Sequence, residues 1–70
     1  DEIEGFQVWN YMECDKDEEG RETWRINVEV KRGGEVVVPV VAGERTYVDR
    51  GLAQVDGREV GARLIAEAGL

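Results

Sequence analysis

Seventy residues with a net charge of −7 and 36% charged side chains make one small domain over residues 1–70, whole or excised from something larger. One Cys, no His and no Ser exclude an intrachain disulfide, a structural zinc site, and a catalytic centre built on serine or histidine. The charge repels phosphate backbones and anionic membranes, and no apolar run reaches the length of a membrane span. The expectation is therefore a soluble, cytoplasmic chain in a reducing compartment, with no signal peptide in DEIEG and no membrane role.

Asp1 to Glu4 carry three acids around Ile3 and are expected to fray or form a short lead-in. FQVWNYMEC then reads as a first strand. Phe6, Val8, Met12 and Cys14 fall on one side and Gln7, Trp9, Tyr11 and Glu13 on the other, with Asn10 a polar intruder on the apolar side. The run DKDEEGR is a turn by composition, and Gly20 predicts a bulged hairpin with the loop Glu18-Glu19-Gly20 and Gly20 in the left-handed region. Glu22 to Lys31 is the clearest element. Trp24, Ile26, Val28 and Val30 alternate strictly with Thr23, Arg25, Asn27 and Glu29, as in a central strand with one apolar face. The hairpin loop sets Val8 opposite Val30, Met12 opposite Ile26, Cys14 opposite Trp24 and Glu13 opposite Arg25, which gathers the apolar side chains on one face.

Gly33-Gly34 makes a second tight turn into EVVVPVVA, a third strand that needs an edge or a bulge at Pro39. Ala42-Gly43 is a further turn signal, with Thr46 to Val48 as a short fourth strand, and Asp49 to Val55 is ambiguous. Asp56 and Glu59 have the spacing of an N-cap and its capping-box partner. They start a helix with Val60, Leu64, Ile65 and Ala68 on one face and Gly69 as its stop. Gly61 costs about 1 kcal/mol relative to Ala inside that helix, unless close packing on the sheet requires it. The fold class expected is α+β: an antiparallel β-meander of three or four strands with one C-terminal helix on one face, over Val8, Met12, Ile26 and Val28.

Few motifs carry chemistry. Asp15 to Gly20 has the oxygen spacing of the opening of a calcium loop, but Ile26 stands where the bidentate Glu is required and strands replace the flanking helices. Cys14, on the apolar side of a strand, is expected to be a core thiol and not a nucleophile. No residue is assigned as catalytic, cofactor-binding or metal-ligating, and no cofactor is expected.

One surface needs a role. The helix covers one face of the sheet, and the other presents Trp9 and Tyr11 with alternate residues of the third strand, either Val36, Val38 and Val40 or Val37 and Val41. A sheet that curls into a small barrel would bury this patch in its own core. Left exposed, it marks an interaction surface, here Trp9, Tyr11, Glu13, Arg25 and Glu29. The reading is a non-enzymatic acidic interaction module that docks on a basic protein surface, as an inhibitor or antitoxin-like protein would, or that self-associates as a homo-oligomer. The alternative is a small nucleic-acid or ligand binder using the same aromatics. Arg25 and Lys31 are interleaved with Glu13 and Glu29, so no basic stripe forms and nucleic acid is disfavoured.

Overall fold

The computed structural model describes residues 1–70 as a five-stranded antiparallel sheet with one C-terminal helix, the α+β arrangement that the patterning predicts. The strands are β1 (Glu2–Ile3), β2 (Phe6–Asn10), β3 (Glu13–Lys16), β4 (Glu22–Arg32) and β5 (Glu35–Tyr47), followed by α1 (Arg50–Glu67). The central strand is β4. It pairs with β2 and β3 along one edge and with β5 along the other.

The first hairpin has the expected register, with Val8 opposite Val30, Cys14 opposite Trp24 and Glu13 opposite Arg25. Its loop closes through Asp17. The Asp17 backbone N–H donates to the Arg21 carbonyl and its own carbonyl accepts from Gly20, while Gly20 takes φ of 80°. The Asp17 carboxylate accepts from the backbone N–H groups of Glu19 and Arg21 and pairs with the Arg21 guanidinium, so it shapes the turn.

Several expectations need correction. Residues 1–4 do not fray: Glu2 and Ile3 pair with Gln7 and Phe6 across a two-residue turn, Glu4-Gly5. The first strand is not continuous, because the Tyr11 carbonyl accepts from the side-chain amide of Asn27, and this separates β2 from β3. Thr46 to Val48 are not a separate strand. β5 runs on to Tyr47, taking up its extra residues in bulges, one of which includes Pro39 and another Gly43 to Arg45. These bulges break the alternation, so that Val38 and Val41 face with Val30 and Val28 while Val36 faces with Lys31. Neither of the two expected valine sets lies intact on the open face.

The helix begins seven residues earlier than the capping-box pattern suggests. Asp49 is the N-cap, accepting from the N–H groups of Gly51 and Leu52, and Asp56 lies inside the helix with its carboxylate bonded to the Tyr47 hydroxyl. Its buried stripe is Ala53, Gly57, Gly61 and Ile65; Val60 and Leu64 are only half-buried and Ala68 is exposed. A Cβ at Gly61 would stand 2.5 Å from Cγ1 of Val8, and one at Gly57 would overlap the Asn10 side chain. The two glycines therefore set how closely α1 lies on β2. Phe6, Val8, Ile26, Val28 and Val30 from the sheet and Ala53 and Ile65 from the helix form the core between them.

The molecule is elongated, 43 × 17 × 16 Å. The tip of the β3–β4 hairpin runs past the start of the helix, where the Arg50 guanidinium lies over the Trp24 ring at 6.0 Å. Cys14, opposite Trp24, is consequently exposed and is not a core residue. No helix is long and apolar enough to cross a membrane.

Candidate interaction surface

Trp9, Tyr11, Glu13, Arg25 and Glu29 meet on the face of the sheet away from α1, because alternation along β2, β3 and β4 turns them opposite to Val8, Ile26 and Val28. β5 pairs with β4 alone, so the sheet stays open and the two rings do not fold into a barrel core. Trp9 is 48% exposed and Tyr11 45%.

The rings are held in place. The Lys31 ammonium sits 5.1 Å from the centroid of the Trp9 ring and 3.7 Å from the Glu29 carboxylate. The Tyr11 hydroxyl donates to the same carboxylate at 2.9 Å, and this bond, with partial desolvation, raises the Tyr11 phenol above its ordinary pKa. Beyond Tyr11, the Asn27 side-chain amide bridges the Tyr11 carbonyl and the Glu13 carboxylate, at 2.9 Å each. Arg25 pairs with Glu13 at 3.3 Å and with Asp15 at 2.9 Å. The result is a continuous polar row that starts at Trp9 and runs past Tyr11 to Asp15, three carboxylates against two cations, with both cations engaged.

Asp15, Asn27 and Lys31 complete this row. Asp15 was hidden by the turn composition around it, and only its pairing with Thr23 shows that it belongs to a strand. Asn27 and Lys31 were legible from the alternation of β4, but what they touch was not.

An open cleft of about 730 Å³ lies between α1 and the bulged end of β5. Ile26, Val41 and Val60 line it along with Tyr47 and Asp56, which are bonded to each other. Burial, then the Asp56 carboxylate, raises the Tyr47 phenol above its ordinary pKa.

Cys14 donates to the Glu22 carboxylate at 3.2 Å, and this bond is the main cause of a thiol pKa above the ordinary value. At mildly alkaline pH, Glu22→Gln is expected to speed alkylation of Cys14 by iodoacetamide, because removing the carboxylate lets more thiolate form. An unchanged or slower rate would show that Glu22 does not control the thiol.

No family model matches the sequence, and no curated protein or solved structure matches the chain.

Proposed function

We propose that this chain is a non-enzymatic interaction module, with Trp9 and Tyr11 at the centre of the surface that docks a protein partner. The observation that carries the reading is two aromatic rings, each about half exposed and already fixed by Lys31 and Glu29. Rings that are ordered before binding lose little side-chain entropy on contact, and aromatic residues of this kind carry a large share of interface energy. Acidic surroundings favour a basic partner surface, as for an inhibitor or antitoxin-like protein, over a second copy of the same acidic face. The nucleic-acid alternative gains nothing from Arg25 and Lys31, whose charges are spent on Glu13, Asp15 and Glu29.

The test is the double substitution Trp9→Ser with Tyr11→Ser, compared with the parent chain for protein capture from the source cell and for thermal unfolding. A basic protein retained by the parent and lost by the variant is expected, since each ring contributes about 2 kcal/mol to binding. Unfolding is expected to change by less than about 1 kcal/mol, as is usual for substitutions outside the core. Equal capture by both chains, or a variant that unfolds while the parent retains no protein, refutes the reading.

A further inference from the structure

The helix has a second apolar stripe. Leu52, Val55, Ala62 and Ala66 recur with Glu59 at alternating three- and four-residue spacing, on the side of α1 opposite its buried Ala53, Gly57, Gly61 and Ile65. Leu52 is 56% exposed and Val55 62%, where a helix lying on a sheet ordinarily turns polar residues to water. Charge singles out the same element. Residues 50–67 carry three acids and three arginines, so the whole net charge of −7 lies in the rest of the chain. Two copies therefore repel one another at the sheet and not at the helix.

We propose that α1 packs antiparallel against α1 of a second copy, forming a two-fold homodimer through this outward stripe. This interface is separate from the open sheet face and goes beyond the function proposed for it. Size and charge both select the antiparallel arrangement. The large residues lie in the first half of the stripe and the small ones in the second, so reversing one helix sets Val55 against the partner's Ala66 and Glu59 against the partner's Ala62. Parallel helices would crowd one end and leave a gap at the other. In the same antiparallel register Asp56 lies beside the partner's Arg63, and two-fold symmetry repeats that contact. Sliding by one heptad would instead set Asp56 against the partner's Asp56, and a parallel pair would set Glu59 against the partner's Glu59 in the seam. The seam is one helix wide, so the dimer is concentration-dependent.

The experiment is light scattering of the whole chain from micromolar to millimolar concentration. The mass is expected to rise from 7.9 kDa toward twice that value. Leu52→Glu with Val55→Glu is expected to hold it at the monomer, and so is Ala62→Glu, an exposed substitution to another good helix former that leaves folding intact by circular dichroism. Trp9→Ser with Tyr11→Ser is expected to leave the dimer in place. In a Cys14→Ser background, Val55→Cys protein mixed with Ala66→Cys protein is expected to form the mixed disulfide on oxidation. A parent that stays monomeric, a dimer that survives the helix substitutions or falls to the Trp9 and Tyr11 pair, or Val55→Cys homodisulfides in place of the mixed one, overturns the proposal.

Discussion

Gly61→Leu is expected to destabilise the chain by more than about 3 kcal/mol, most of the stability a chain this short has. The position faces β2 with no room to spare, since even a single Cβ there would lie 2.5 Å from Cγ1 and 2.8 Å from Cγ2 of Val8. Val8 is β-branched and buried, so it cannot swing aside as the end of a long side chain would. Seating a Leu would require lifting α1 from the sheet, at more than about 3 kcal/mol, against a total stability of only about 5 kcal/mol for a chain this short. Only nine of 70 residues are buried, and no second core can compensate. Gly61→Ala grades the effect. Helix propensity favours it by about 1 kcal/mol, yet the contact with Val8 should make it destabilising by about 1–2 kcal/mol. In a Val8→Ala background both Cγ atoms are gone, and the same Gly61→Ala change should become neutral or stabilising. Equilibrium denaturation of the four chains reads the cycle. A Gly61→Ala chain more stable than the parent would mean that the helix is not held at this distance.

Asn10→Asp is expected to destabilise by about 3 kcal/mol at neutral pH, and most of that loss is expected to be absent in acid. The Asn10 amide donates to the Ala53 carbonyl at 3.2 Å, while its own oxygen is buried without a partner. A carboxylate there would point a charge at a carbonyl oxygen in a site that offers no donor. Burial raises the native pKa of such an acid above the unfolded value of about 3.9. The sign follows: below the unfolded value the protonated acid can donate to Ala53 as the amide does, so the stability is present. As pH rises past that value the unfolded state ionises first, and the loss is complete once pH exceeds the raised native value. Asn10→Ala forfeits one hydrogen bond but also removes the orphaned oxygen, so it should cost within about 1 kcal/mol. Chemical denaturation of the Asp variant and the parent, compared at matched pH, checks this. A deficit that does not vary with pH would place the residue in water, not against α1.

Local chemistry made the first hairpin legible. A left-handed glycine at position 20 and strict alternation from Trp24 to Val30 admit one register, and a slip by one residue would turn every apolar side chain to water. The same alternation places Trp9, Tyr11, Glu13, Arg25 and Glu29 on one face, because facing along a strand depends only on parity. Asn10 was visible as an intruder among apolar residues, but its partner in Ala53 lies 43 positions away.

The sequence by itself determined the α+β class, the central strand, the hairpin register and the face on which the candidate surface lies, all of which follow from residues near one another in the chain. Only the tertiary structure decided where the helix starts, which side of it is buried, how β5 meets β4 and whether Cys14 is covered. The physical reason is that each of these is a contact between distant segments. Asp49 and Asp56 are both competent caps, and Tyr47 takes the second for itself. Small residues at 53, 57 and 61 look like a weak helix until Val8 and Asn10 occupy the space above them. An apolar run such as EVVVPVVA carries no parity of its own, so its bulges answer to β4. Cys14 has the parity of a core residue, and it is exposed because the hairpin is longer than the helix that covers it.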